Sequence, residues 1–231
     1  MKNRDQSARF ESHEDTRSGR GGLGPGQETM NSARVSGIFF DLGNVLVEVD
    51  YSKFSARLTS LTGKTMEELR PAFTDGLAAK YELGLCEDGE FISTLCGRIG
   101  LQKTDFLEAW TSIFAGKPLI SEDVLLDLSR RYRLWIISNT NGMHFDYIRE
   151  HYGFLACFEG LILSYEVGAA KPDPAIFRLA LERAGLKPDE AVFVDDQLAN
   201  VEAAREIGID AIQFLNSAQL MQEFRQRHLL P

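Results

Sequence analysis

No apolar run in the chain approaches the ~20 residues that a membrane-spanning helix needs, and the first thirty residues lack the apolar core of a signal peptide. The chain therefore reads as cytoplasmic. Cysteine is scarce: Cys86, Cys96 and Cys157 are the only three in 231 residues. Their odd number and their lack of metal-ligand spacing argue against a disulfide framework or a zinc site, and for buried thiols in a reducing compartment. Basic charge is also in short supply. Lys and Arg number 25 against 34 Asp and Glu, a formal net charge of −9, which speaks against nucleic acid or an anionic membrane surface as a partner. Small anionic substrates stay open, because the field inside one site differs from the net charge. The length suits one large domain, or a core with a smaller inserted one, and no internal repeat is visible.

What is present is organised around Ile38-Phe39-Phe40-Asp41-Leu42-Gly43-Asn44-Val45-Leu46. A continuous apolar run of this kind reads as a strand buried on both faces, as in parallel sheets flanked by helices. Burying a carboxylate at its end costs several kcal/mol unless something pairs with it. Asp41 either caps a turn or binds a metal.

The pattern recurs. Leu134-Trp135-Ile136-Ile137 runs into Ser138-Asn139, and Ala191-Val192-Phe193-Val194 runs into Asp195-Asp196; between them, Gly168-Ala169-Ala170-Lys171-Pro172 sets a lysine just before a helix. Taken singly, Ser138 reads as a turn residue and Lys171 as a surface charge. Open parallel sheets gather their reactive groups beyond the carboxyl ends of the strands, where all four sets would meet.

The remaining segments fill in the organisation. Residues 1–33 combine mixed charge with the Gly-rich stretch Ser18 to Gly26 and read as a disordered tail; Met30 is a candidate alternative start. Between 49 and 117 the period becomes helical. Tyr51, Phe54, Leu58 and Leu61 share one face, as do Phe91, Leu95 and Ile99, then Phe106, Trp110 and Ile113. Thr65 with Glu68 signals a capping box for a helix ending near Phe73. From Ser121 strands alternate with amphipathic helices. The expected fold is a doubly wound α/β sheet, a Rossmann-like three-layer sandwich formed by 34–48 and 118–231, with an inserted helical domain over 49–117.

At these residues the chain resembles the haloacid dehalogenase superfamily, whose members are mostly Mg²⁺-dependent phosphatases. The resemblance spans roughly Val35 to Leu215, with the four motifs in order. It implies that the helical insertion is a cap that closes over the site, with Lys80-Tyr81-Glu82-Leu83-Gly84 as its candidate pocket-facing stretch. It also implies that Asp41 attacks phosphorus, and that one Asp41 oxygen, the Gly43 carbonyl and Asp196 hold Mg²⁺. Asp195 supports that set without joining it, and Asn200, four residues after Asp196, is a candidate to hold a metal-bound water. Ser138 and the Asn139 backbone bind the transferring phosphoryl, and Lys171 neutralises it and keeps Asp41 ionised. Asn141 is a further substrate-side candidate. His144, one helical turn on, reads first as a solvent-facing histidine, with a proton donor or a cap contact as the alternatives.

One position departs from the pattern. Most members carry an acid/base aspartate two residues after the nucleophile, where this chain has Gly43, and general acid–base help is typically worth about 10² to 10⁴ in rate. A branch resembling the glucose-1-phosphate phosphatases shares the Asp-Leu-Gly-Asn-Val start and the Ser-Asn-Thr-Asn continuation at 138–141. The resemblance thus implies a phosphatase for a small phosphorylated metabolite, a sugar phosphate first of all, as a monomer or homodimer. A metal-free 2-haloacid dehalogenase and a binder with little turnover are the alternatives.

Overall fold

The computed structural model describes residues 35–114 and 116–231. The expected tail over 1–33 and the candidate start at Met30 lie outside the described residues. Five strands, β1 (Gly37–Phe40), β2 (Arg133–Ser138), β3 (Gly160–Leu163), β4 (Ala191–Asp195) and β5 (Asp210–Gln213), form one parallel sheet in the order β3-β2-β1-β4-β5. Every residue of central β1 is buried, which is why its sequence shows no polar alternation.

The alternation survives in where the side chains go. Ile38, Phe40, Ile136 and Val194 join one apolar cluster with α6 (Glu122–Ser129), α7 (Gly142–His151) and α11 (Ser217–Gln226). Phe39, Trp135, Ile137 and Phe193 join a second with α9 (Pro174–Ala184) and α10 (Leu198–Glu206). The three layers are those of a doubly wound fold. From β1 the chain moves outward through β2 and β3, and then crosses to β4 on the other side of β1. That reversal opens a crevice at the carboxyl ends of β1 and β4.

Local chemistry sets the helix boundaries. The Asp173 side chain accepts from Ala175 N–H and Pro174 begins α9, while Ser121 caps α6 and Asn216 caps α11.

The stretch between β1 and β2 contains α1 (Tyr51–Thr62), α2 (Met66–Leu69), α3 (Leu77–Glu82), α4 (Asp88–Ile99) and α5 (Lys103–Thr111). These helices have an apolar centre of their own, with Leu58, Leu69, Phe91, Leu95 and Phe106 in it. Tyr81 stacks on Phe91 at 4.1 Å, and Phe91 meets Trp110 edge-on at 5.1 Å. The Thr65–Glu68 capping box forms, and the helix it starts passes into a 3₁₀ turn through Phe73.

Tyr51 departs from the expected apolar face: it is 65% exposed. As the first residue of α1, directly after the Asp50 cap, it stands beyond the edge of the helical cluster. The insertion meets the core closely at Gly84, where an added Cβ would sit 2.1 Å from the Tyr165 carbonyl oxygen. With φ of +69° besides, only glycine fits. Among the described residues no helix is long and apolar enough to cross a membrane.

Candidate active site

The carboxyl ends of β1, β2 and β4 deliver the polar groups. Asp41 follows β1 directly and is buried; its Oδ1 accepts from Leu42 N–H at 2.7 Å and from Lys171 Nζ at 2.7 Å. The same ammonium donates to Asp195 Oδ2 at 2.6 Å. Lys171, only 1% exposed at its side chain, is therefore a bridge between two buried carboxylates and not a surface charge. Burial alone would pull its pKa down, but the charges of Asp41 and Asp195 outweigh that and hold it raised.

Asp195 is fully buried and its oxygens are well occupied. Oδ1 accepts from Gln197 N–H and Asn200 Nδ2, and Oδ2 accepts from Lys171 and, at 3.1 Å, from Asn200. Asn200, the candidate to hold a metal-bound water, gives its Nδ2 to both oxygens of Asp195. Asp196 is the more open of the pair. Burial and the neighbouring Asp195 raise its pKa, against which Lys171 and a hydrogen bond from the Asn44 side chain act.

Asn44 escaped the sequence reading. Its φ of +56° places it in the left-handed region, which asparagine tolerates better than most residues. From there its Oδ1 accepts from Val49 N–H at 3.0 Å while its amide serves Asp196. The Gly-Asn pair after the strand was the available signal.

The carboxylates of Asp41, Asp195 and Asp196 place ligand atoms within 4.8 Å of one another. Three carboxylates face one ammonium, and the imbalance shows: Asp41 is pushed up to about 7 by burial, with Lys171 pulling it down and Asp195 pushing it up. Such an oxygen-rich, charge-deficient cluster fits a hard divalent cation. Since Asp195 is saturated with donors, Asp41 and Asp196 are the carboxylates with capacity to hold one.

Beyond β2, three consecutive residues tie the loop to its neighbours. The Asn139 side chain exchanges two bonds of 2.8 Å with the Lys171 backbone. Thr140 N–H donates to Ser164 Oγ, which donates to the Thr140 carbonyl, both at 3.0 Å. Asn141 caps α7, its Oδ1 accepting from His144 N–H at 3.1 Å. Ser138 is buried at the end of the strand.

His144 is not solvent-facing. It is 8% exposed, stacked on Trp110 of α5 at 4.8 Å and edge-on to Phe114 at 5.1 Å. Its Nδ1 lies 3.0 Å from Asn141 Nδ2, and its Nε2 lies 3.0 Å from the Trp110 carbonyl. An amide donor on one side and a carbonyl on the other define the neutral tautomer with the proton on Nε2. Asn141 and His144 thus tie α7 to the helical insertion, since Trp110 Nε1 also reaches Asn141 Oδ1 at 3.4 Å. The helical period of α7 carried no sign of this, because α5 arrives from a distant part of the chain.

Burial depresses the His144 pKa to about 4, against the partly opposing bond to Trp110. The folded state therefore binds fewer protons than the unfolded chain between that value and the ordinary 6.5. Stability should fall as pH drops through this window, by at most about 3 kcal/mol from this residue. Urea unfolding at a series of pH values would show a shallower slope in His144→Gln than in the parent. Parallel slopes would overturn the assignment.

Two groups on the insertion sense the site. Both are solvent-exposed residues, and partial desolvation at their polar ends, joined for the Tyr51 hydroxyl by the charges of Glu82, Asp41 and Asp196, raises their pKa values. Of the candidate pocket-facing stretch, Tyr81 is buried where the insertion meets α7: its hydroxyl donates to Asp88 at 2.6 Å and accepts from Met143 N–H at 3.4 Å.

The doubly wound sheet carries its carboxylate–lysine–carboxylate bridge at the switch point, where folds of this kind hold their active sites. The chain belongs to the haloacid dehalogenase-like hydrolases, whose family model matches residues 35–208. It is 29% identical over 199 residues to a D-ribitol-5-phosphate phosphatase of Bacteroides thetaiotaomicron, covering 82% of this chain and 96% of that one. It is also 29% identical over 192 residues to a sesquiterpene phosphatase of Aspergillus oryzae, covering 81% and 93%. A structure of a haloacid dehalogenase family enzyme from Bacteroides thetaiotaomicron, in complex with magnesium and inorganic phosphate, superposes with a TM-score of 0.73. That match is at 29% identity over 79% of this chain and 96% of the other.

Proposed function

We propose that this protein is an Mg²⁺-dependent phosphatase of small phosphorylated metabolites, with a sugar or polyol phosphate as substrate. The observation that carries the reading is the Lys171 ammonium held within 2.7 Å of Asp41 beside the more open Asp196 carboxylate. The phosphatase relatives and the magnesium–phosphate complex of a structural neighbour support it.

Asp41 Oδ1 is occupied by Leu42 and Lys171, and among the described residues no hydrogen bond engages Oδ2. Oδ2 attacks phosphorus, the P–O bond to the leaving group breaks, and an aspartyl phosphate forms on Asp41. Lys171 and the Asn139 backbone N–H meet the phosphoryl oxygens, with the Ser138 hydroxyl as a further donor. Mg²⁺ held by Asp41, Asp196 and the Gly43 carbonyl would supply positive charge to the same oxygens. Water then cleaves the acyl phosphate and restores Asp41. At Gly43 an added Cβ would lie 3.2 Å from Val49 Cγ2, and glycine offers no acid/base side chain there. The departing oxygen takes its proton from water, so anomeric and other good leaving groups should turn over faster than the alkoxide of a polyol phosphate.

The helices of 49–117 act as the cap, excluding water from the phosphoryl enzyme, and Tyr51 and Glu82 face the substrate from it. The free thiols Cys86, Cys96 and Cys157 accord with a cytoplasmic setting. Phosphate release from a panel of sugar and polyol phosphates and from para-nitrophenyl phosphate, with and without Mg²⁺, tests the reading; no metal-dependent release from any of them would overturn it. Asp196→Ala should raise the Mg²⁺ concentration for half-maximal rate by about 10- to 100-fold, the cost typical of losing one carboxylate near a metal. An unchanged metal titration would remove Asp196 from the ligand set.

A further inference from the structure

The Asn139 side chain grips the backbone of another motif of the site. Its Oδ1 accepts from Lys171 N–H and its Nδ2 donates to the Lys171 carbonyl, each at 2.8 Å. The pairing satisfies both main-chain groups of a single residue, the way a neighbouring strand would, in a place where no strand runs beside the lysine loop. Lys171 has left β3 and the short helix α8 (Ser164–Val167) behind and has not yet entered α9. Its ammonium must nevertheless reach Asp41 and Asp195 at 2.7 and 2.6 Å. The side chain is almost wholly buried, so where its backbone sits decides where the charge sits. The neighbouring exchange between Thr140 and Ser164 anchors the Asn139 loop in turn to the end of β3.

We propose that the Asn139 side chain is a positioning residue for Lys171, fixing the lysine backbone so that the ammonium stays aligned on the transferring phosphoryl. Only the Asn139 backbone N–H, not its amide, faces the ligand. The inference rests on the phosphatase reading above. Misplacing a catalytic charge by about 1 Å costs as much as 10²-fold in rate, so the side chain acts without touching substrate.

Four proteins test this: the parent, Asn139→Ala, Lys171→Met and the double variant, each confirmed folded by its thermal transition. Orthophosphate affinity in saturating Mg²⁺ is read by calorimetry, and kcat and KM with para-nitrophenyl phosphate. Asn139→Ala should weaken phosphate about tenfold and lower kcat by ~10²-fold, with KM for the aryl ester moving much less. In the Lys171→Met background the same change should have no further effect on phosphate affinity, because the residue acts through the missing ammonium. Equal losses in both backgrounds, or parent-like values for Asn139→Ala, would overturn the proposal. Should Asn139→Ala not fold, Asn139→Gln keeps the amide but displaces it by one methylene. It should show the same coupling to Lys171, and parent-like values for it would count equally against the proposal. A parent that neither binds phosphate nor releases it would instead sink the phosphatase reading and take this inference with it.

Discussion

Asp41→Asn should abolish metal-dependent phosphate release, by at least ~10⁴-fold in kcat, while leaving the fold intact. The amide has nearly the carboxylate's shape, so Leu42 N–H keeps an acceptor at the end of β1. What disappears is the attacking oxygen's charge. Replacing the carboxylate also removes the cost of burying its charge, the main cause that pushes Asp41 up to about 7, and with it the lesser repulsion from Asp195. The variant should consequently unfold at a urea concentration no lower than the parent's in metal-free buffer. Retention of most of the activity would remove Asp41 from the mechanism. Loss of activity together with a large drop in stability would mean that the carboxylate serves the fold.

Lys171→Met is expected to damage stability as well as turnover. The ammonium is buried between Asp41 and Asp195, and methionine fills most of its volume without its charge. Two buried carboxylates then face each other unpaired, and breaking a buried ion pair in this way typically costs about 3–5 kcal/mol. The sign of the pH dependence follows. Losing the cation removes the charge that pulls the Asp41 pKa down, so the folded variant binds more protons there than its unfolded chain and gains stability as pH falls. Urea unfolding in EDTA at pH 7.5 and 5.5 should give a parent-to-variant gap that narrows at the lower pH. A gap that stays constant would mean that the carboxylates do not depend on the lysine.

Both expectations concern residues that are visible in the sequence, and the reason is physical. An apolar run such as Ile38 to Phe40 has no use in water, and an aspartate at its end has no use in an apolar interior, so the two together mark a buried strand feeding a site. Repeated at Ile137-Ser138 and Val194-Asp195, the same contradiction marks the crevice. Helical period marked the insertion in the same local way, and the Thr65–Glu68 capping box spans only four residues.

What the sequence did not reveal lies in contacts between distant segments. His144 looked like a surface residue because its own helix gives no hint that Trp110 and Phe114 cover it. Asn139 was read for its backbone alone, because nothing local says that its side-chain amide will meet a lysine thirty-two residues later. Asn200 shared a helical turn's spacing with Asp196, yet the Asp195 carboxylate claims its amide. By itself the sequence determined which segments are buried, in what order they alternate and which carboxylates and lysine must converge, because burial and period are properties of neighbouring residues. Only the tertiary structure decided which donor meets which acceptor within that convergence, because each side chain's last hydrogen bond depends on backbone brought in from elsewhere in the chain.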